Sequence, residues 1–189
     1  MNEDLQVERL GNQLSGYHIG LCVAGGIAAI ESPKLARHLR RYGAEVKCYA
    51  TQESLKFIGA DSLVWGSGND IVTTLTGRAE HICLEDLVVV YPATLNTVNK
   101  IFAGVADNAV TCLVASALGK KVPVYLAPTM HESLYNNPFF QENLARAEKY
   151  GLRVLQPRFG EHKAKIIKYQ LAVQDIVKYF TELKSRGAK

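Results

Sequence analysis

Apolar and polar positions along the chain fall into a repeated two-part rhythm: a short apolar run, a turn, then a segment whose apolar residues recur at helical spacing. "YHIGLCVA" (17–24) predicts a first strand. The turn "GGIAAIES" follows, and then a helix over 33–43, with Leu35, Leu39 and Tyr42 on one face and Gly43 as its stop. A second strand is predicted at 44–51 and a short helix at 54–59. Residues 63–70 read as a loop or small excursion, because Gly66, Gly68 and Asn69 interrupt regularity. "DLVVVYP" is apolar without alternation, the signature of a strand buried on both faces. A helical stretch covers 97–119, with Gly104 as a point where it divides in two. A strand at 121–128, a helix at 137–151 led in by Asn-Pro and ended by Gly151, a strand at 152–157 and a helix at about 169–185 complete the chain. Strands alternating with helices over short turns predict an α/β fold: one mostly parallel sheet with helices on both faces. The expected layout is a loose extension over 1–15, one domain over 16–189, and loose last residues.

Length and composition fit this picture. The chain has 189 residues, enough for one well-buried core, with 48% hydrophobic and 21% charged residues. A net charge of +4 is mild and spread along the chain, with no basic stripe or nucleic-acid motif, so no nucleic-acid partner is expected. Cysteines at 22, 48, 83 and 112 form no metal-ligand spacing, and no metal site is expected. Cys22, Cys48 and Cys112 lie in apolar contexts and read as buried reduced thiols. No basic-then-apolar leader opens the chain, and no apolar run nears the ~20 residues that span a bilayer. The expectation is a soluble, cytoplasmic protein with no membrane partner.

Chemistry concentrates where the strands end. Parallel strands place their C-terminal ends on one sheet edge, where α/β folds bind ligands. Here that edge collects Gly25-Gly26-Ile27-Ala28, Thr51-Gln52, Pro92-Ala93-Thr94-Leu95-Asn96-Thr97 and Pro128-Thr129-Met130-His131. Gly25-Gly26 is either an ordinary strand-to-helix turn or a close backbone approach that aims free N–H groups at an anion. "AGGIAA" lacks the full GxGxxG dinucleotide pattern, so a mononucleotide fits better than NAD. Asn96 or Thr97 reads as a helix N-cap, which does not account for the whole polar run after so buried a strand.

Taken together, the Gly25–Ala28 turn, Thr51, "PATLNT", "AGVADN" and "PTMHESLYNNP" resemble, in order and spacing over about residues 17–167, the homo-oligomeric flavin-containing cysteine decarboxylases. That family includes phosphopantothenoylcysteine decarboxylase and the peptidyl-cysteine decarboxylases. The resemblance implies a Rossmann-like or flavodoxin-like domain that binds FMN between subunits, as a homotrimer or a dodecamer of trimers. Its substrate would be a small molecule or peptide bearing a cysteine carboxylate, oxidised to a thioaldehyde that loses carbon dioxide. Residue by residue, it places FMN against Gly25, Gly26, Ile27, Ala28, Ser32, Thr51, Pro92, Ala93, Thr94, Asn96 and Thr97. It makes His81 in "HICL" the active-site base, gives Asn96 a catalytic place, and sets Asn108, Pro128, Met130 and His131 at the substrate.

The chain departs from the family pattern in three places. His131 stands where the substrate clamp usually has Asn; a histidine still donates a hydrogen bond, with a charge that varies near neutral pH. The stretch from His81 to Pro92 is about one helical turn short. No cysteine follows Cys112, whereas several coenzyme A decarboxylases carry a flap cysteine after the last strand; here that region reads "PRFGEHKAKI". Arg158, Lys163 and Lys165 in it are candidates to hold an anionic substrate group, or a solvated basic loop. His81 also reads as a structural histidine and His131 as a packed loop residue, while Tyr135, Phe139 and Phe140 would wall the flavin or fill a subunit interface. Three further functions share the scaffold: a flavin reductase or electron carrier, a flavin prenyltransferase, and a regulatory flavoprotein without catalysis.

Overall fold

The computed structural model describes residues 6–187. Five parallel strands form the central sheet: β1 (His18–Val23), β2 (Glu45–Ala50), β3 (Leu87–Ala93), β4 (Val124–Pro128) and β6 (Leu152–Val154), in the order β2-β1-β3-β4-β6. This is the flavodoxin-like order, in which the chain reverses its direction of winding between β1 and β3. Every residue of β3 is buried, as its unalternating apolar content predicts. One core lies on each side of the sheet. Leu21, Val89, Tyr91 and Leu35 pack on one face with the last helix, and Val88, Val90, Val110 and Leu113 on the other.

The helices are α1 (Ser32–Arg41), α2 (Ala60–Ser67), α3 (Leu95–Phe102), α4 (Ala109–Gly119), α5 (Glu132–Tyr135), α6 (Pro138–Arg146) and α7 (Tyr169–Gly187). The predicted helix over 97–119 is indeed two, α3 and α4, broken by residues 103–108, where Gly104 takes a φ of 69°. The predicted helix over 137–151 ends earlier as α6, and a 3-10 turn, Glu148–Tyr150, completes it.

Three expectations need correction. Residues 63–70 are not a loop: α2 occupies most of them. Gly66 lies inside that helix because a Cβ there would meet the Pro33 backbone of α1 at 2.8 Å, so the glycine permits close helix packing. Second, the 1–15 segment is docked from Leu10 onward. Leu10 and Gly11 donate their N–H groups to the Arg41 carbonyl, Leu14 donates to that of Tyr42, and Leu14 is fully buried. Residues 1–5 and 188–189 lie outside the described part. Third, a small antiparallel sheet, unseen in the sequence pattern, joins β5 (Met130–His131), β7 (Arg158–Gly160) and β8 (Lys163–Lys165) in the order β5-β8-β7. It stands over the C-terminal edge of the main sheet. Tyr91, near the end of β3, holds it there by donating its hydroxyl to the Ile167 carbonyl at 2.8 Å.

Among the described residues no helix is long and apolar enough to cross a membrane, and no group of three or more His, Cys, Asp or Glu side chains could hold a metal ion.

Candidate active site

A cavity of about 970 Å³ opens at the C-terminal edge of the sheet, beside the point where strand order reverses. The turn after β1, the turn after β2, the start of α3, the α3–α4 connection, β5 and β8 all contribute to its wall. It gathers Gly25, Gly26, Ile27, Ala28, Thr51, Thr94, Asn96, Thr97, Asn108, Met130, His131, Lys163 and Lys165 from those expected by sequence.

The two glycines differ in kind. A Cβ on Gly25 would meet the Cβ of Glu53 at 2.6 Å and its carbonyl carbon at 3.0 Å, so Gly25 lets the turns after β1 and β2 touch. A Cβ on Gly26 would find only the Thr94 methyl, at 3.6 Å, and its φ of 164° is open to any residue. Folding therefore gives no reason for glycine at 26. The room it leaves lies on the cavity wall, between Gly26 and Thr94.

Two chain segments start at this spot without side-chain caps. Neither the 3-10 turn Ile27–Glu31 nor α3 has a capping side chain, so first-turn N–H groups are left for an external acceptor. Thr94 does not cap α3; its hydroxyl pairs with that of Thr97 at 3.1 Å. Helix α4 is the contrast. Asn108 accepts from the N–H groups of Val110 and Thr111, and donates to Asp107 at 2.8 Å. Asn108 thus borders the cavity with its carboxamide committed to the cap. The Asn96 carboxamide, in contrast, is exposed and makes no intramolecular bond among the described residues.

His131 caps the short helix α5: its Nδ1 accepts from the Ser133 N–H at 3.2 Å and contacts the Ser133 hydroxyl at 2.9 Å. A neutral ring with Nδ1 as acceptor carries its proton on Nε2, leaving an N–H donor at the cavity. Thr51 lines the cavity while its hydroxyl accepts from the Ser54 N–H at 3.1 Å.

Other expected residues stand elsewhere. Ser32 is fully buried and donates to the Tyr91 carbonyl at 2.7 Å, fastening α1 to the end of β3 rather than facing the cavity. Pro92, Ala93 and Pro128 are buried behind the wall they shape. Phe140 is core, Tyr135 packs between Phe140 and Phe159, and Phe139 is exposed; none lines the cavity.

His81 is the largest departure from the linear pattern. It is exposed and absent from this cavity. The segment after it is pinned at the far end of α4, where Cys83 donates its N–H to the Ser116 hydroxyl and accepts from Lys120. The cavity meets α4 at Asn108, eight residues earlier, or about 12 Å along the helix axis. Beside His81, Ile82 is 43% and Leu84 77% exposed.

Sequence reading missed Lys100 and Asp107, an ion pair on the cavity wall, and Phe57 and Leu134 at its rim. The signal for Lys100 was present: it lies four residues after Asn96 and so shares its helix face. The Lys100 contact holds the Asp107 carboxyl below its usual range, mainly through their hydrogen bond.

A second cavity, about 630 Å³, lies at the opposite sheet edge near His18, Glu45, Tyr49 and Glu85. Its buried carboxylate is satisfied: Glu85 accepts from the Tyr49 hydroxyl at 2.6 Å and from the Leu84 N–H at 2.9 Å. It holds none of the strand-end chemistry.

Comparison with known proteins bears on the family and the fold. The family model described as Flavoprotein matches residues 8–182. The coenzyme A biosynthesis bifunctional protein CoaBC of Thermococcus kodakarensis is 38% identical over 173 residues, covering 88% of this chain and 43% of that protein. The chain thus spans under half the length of such bifunctional relatives. A probable phosphopantothenoylcysteine decarboxylase of Streptococcus mutans is 34% identical over 146 residues, covering 73% of this chain and 81% of that protein. Among solved structures, the FMN-dependent cysteine decarboxylase TvaF from thioviridamide biosynthesis superposes with a TM-score of 0.73 at 26% identity, over 88% of this chain and 98% of that one. With a match that runs through nearly all the described residues, the chain belongs to the Flavoprotein family.

Proposed function

We propose that this protein is an FMN-dependent decarboxylase of a cysteine-derived substrate, either 4′-phosphopantothenoylcysteine or a peptide ending in cysteine. The observation that carries the reading is the cavity itself: uncapped N–H groups at Ile27–Glu31 and at α3, and space at Gly26 that packing does not demand. The Gly25–Ala28 turn would hold the FMN phosphate, and Thr94, Asn96 and Thr97 would flank the flavin. FMN, when bound, supplies a two-electron acceptor, so that the substrate's Cβ–S unit becomes a thioaldehyde and carbon dioxide can leave. Asn96, with its free carboxamide, would orient the substrate carboxylate. His81 would take the thiol proton.

In this reading His81 serves the cavity of a neighbouring copy, because its own chain holds it at the far end of α4. Exposed Ile82 and Leu84 suit burial against such a copy. A homotrimer, or a dodecamer of trimers, would provide it. Four cysteines without a disulfide suit a reducing compartment, the cytoplasm.

The test is direct. The purified protein should show a flavin absorption spectrum and release FMN by mass spectrometry. Anaerobic addition of phosphopantothenoylcysteine or a cysteine-ended peptide should bleach the flavin and release carbon dioxide. Flavin that is bleached by reductants alone, with no carbon dioxide from either substrate, overturns the decarboxylase in favour of an electron carrier. The lack of a thiol in the β7–β8 hairpin and of any cysteine after Cys112 keeps that second reading in play. For the shared site, His81→Asn and Gly26→Asp proteins, each inactive alone, should regain activity when dissociated and reassembled together. No recovery in verified mixed oligomers removes His81 from the neighbour's site.

A further inference from the structure

The charges around the cavity are unevenly compensated. Four cations line it, Lys100, Arg158, Lys163 and Lys165, against two carboxylates, Glu53 and Asp107. Lys100 is paired with Asp107 at 2.5 Å, Lys165 with Glu161 at 2.7 Å, and Glu53 with Lys56 at 2.7 Å. Two cations have no carboxylate within ion-pair distance among the described residues, and the hairpin as a whole sets three cations, Arg158, Lys163 and Lys165, against the one carboxylate of Glu161. Arg158 donates through Nε and Nη2 to the Ile166 carbonyl, each at 3.2 Å, which fixes the guanidinium and leaves its charge unneutralised. The Lys163 ammonium makes no hydrogen bond or close ion pair among the described residues; it shares the field of Glu161 with Lys165. Both belong to the β7–β8 hairpin.

Register gives Lys163 a companion. It stands directly opposite His131 in the β5–β8 pair. Opposed residues of antiparallel strands keep their Cβ atoms about 4.5–5.5 Å apart on one face. The His131 ring, with Nδ1 accepting from Ser133, has Nε2–H to donate from the residue paired with Lys163.

We propose that Lys163 and His131, backed by the fixed charge of Arg158, form a subsite for a phosphomonoester dianion on the hairpin side of the cavity. The charge count favours that ligand. A phosphomonoester carries about −1.5 to −2 near pH 7, matching the net charge of +2 on the hairpin, whereas a carboxylate carries one charge. The reacting carboxylate is also the wrong occupant. It loses its charge as carbon dioxide leaves, so pairing it with fixed cations would stabilise the substrate more than the transition state. A phosphate remote from the reaction keeps its charge throughout, and its contact contributes to binding and selection.

The inference rests on the flavin-decarboxylase reading only for the ligands that carry the phosphate: the substrate's phosphopantothenoyl end or the phosphate of FMN. The experiment separates these sources. Lys163→Ala is compared with wild type, with Lys163→Arg as the charge-keeping variant, and with Lys149→Ala on an exposed turn away from the cavity as a control. One arm measures binding of phosphopantothenoylcysteine and its dephosphorylated form to FMN-loaded protein by calorimetry. The other measures FMN and riboflavin binding to flavin-free protein by fluorescence. Lys163→Ala should lower the preference for the phosphorylated member of one pair about tenfold or more, the size expected of one charge-assisted contact. Lys163→Arg should restore most of it, Lys149→Ala should leave it unchanged, and the wild-type preference should shrink as salt rises. Loss in the substrate pair assigns the subsite to substrate; loss in the flavin pair assigns it to the cofactor and moves the FMN phosphate from the Gly25–Ala28 turn to the hairpin. Unaltered preference in both pairs, or no preference in wild type, overturns the proposal. Neither arm needs turnover, so missing carbon dioxide release counts against the decarboxylase reading alone.

Discussion

Adjacent glycines on the cavity wall make opposite predictions, and the contrast tests whether the cavity is a binding site or a by-product of packing. In Gly25→Ala the new methyl meets the Glu53 Cβ at 2.6 Å and the Glu53 backbone at 3.0–3.2 Å. Real Cβ atoms do not approach so closely, and two of the three atoms are backbone, so the turn after β2 must move. Overpacking of this kind costs about 1–3 kcal/mol. For a domain of this size that lowers Tm by about 2–4 °C per kcal/mol, or roughly 2–12 °C. In Gly26→Ala the methyl meets only Thr94 Cγ2 at 3.6 Å, an ordinary contact, and the extended backbone accepts any residue. Flavin-free Gly26→Ala should therefore melt within about 2 °C of wild type, as neutral surface substitutions do. Its methyl, however, fills the room at the ligand's turn, and FMN affinity should fall about tenfold or more. The assay pairs thermal melts of flavin-free proteins with FMN titration by fluorescence. A Gly26→Ala protein that melts as low as Gly25→Ala yet binds FMN like wild type would refute the reasoning, because glycine at 26 would then serve packing.

Two further outcomes follow from the same structure. Burial raises all four thiols, Cys83 to about 11, Cys48 to about 12, Cys22 well above its ordinary value, and Cys112 less deeply. A raised thiol pKa disfavours the reactive thiolate, so at pH 8 native protein should show at most the half-buried Cys112 reacting with a disulfide reagent, against four thiols after unfolding; fast reaction of two or more in the native state contradicts this. At the β7–β8 tip, Glu161 and His162 take φ values of 54° and 55°, positions that two-residue hairpins usually fill with Asn-Gly. His162→Gly relieves about 1–2 kcal/mol of left-handed strain and costs about 0.5–1 kcal/mol in chain entropy, so stability should rise by roughly 0.5–1 kcal/mol in denaturant melts, and a loss would mean that the His162–Glu132 contact at 3.5 Å outweighs the strain.

How much of this was legible depended on how far each signal extends along the chain. Long periodic segments were plain. The unbroken apolar run of β3 announces a central strand, and the strand-end turns announce a ligand edge. Short or context-dependent elements were not. Strands of two or three residues, such as β5, β7 and β8, are too brief for alternation to register, so the segment that roofs the cavity reads in the sequence as a candidate anion clamp or a solvated basic loop, without its hairpin. Gly66 looked like a helix breaker because a sequence does not show Pro33 pressed against it. Leu14 sat among polar residues that suggested a free terminus, and only its docking beside Tyr42 shows why it is apolar. In the site, neighbours in sequence proved misleading as neighbours in space. His81 precedes the flavin loop by eleven residues, but β3 runs the length of the sheet between them and carries them to opposite edges. Ser32 follows the glycine turn closely, yet the start of α1 rotates it inward to Tyr91.

The distribution of charge around the cavity has a chemical logic that the fold makes possible. In the proposed reaction one group on the substrate must lose its charge, while any phosphate keeps its own. Among the described residues that line the α3–α4 side, Lys100 and Asp107 carry the charges and neutralise one another, leaving uncharged donors such as the Asn96 carboxamide. Uncharged donors orient a carboxylate without holding its charge as strongly as a cation would, and so resist decarboxylation less. The excess of positive charge stands instead on the hairpin, where Arg158 is anchored to Ile166 and Lys163 makes no close ion pair. Exchanging the two arrangements, with free lysine beside Asn96 and a neutral hairpin, would strengthen substrate binding and slow the loss of carbon dioxide. Asp107→Asn approximates the first half of that exchange, since it releases Lys100 from its partner while keeping the side chain's size. Its expected signature is a lower KM together with a lower kcat. A fall in kcat with KM unchanged or raised would mean that Asp107 acts by positioning Asn108 and the α4 cap, and that neutrality on this side of the cavity has no bearing on the reaction.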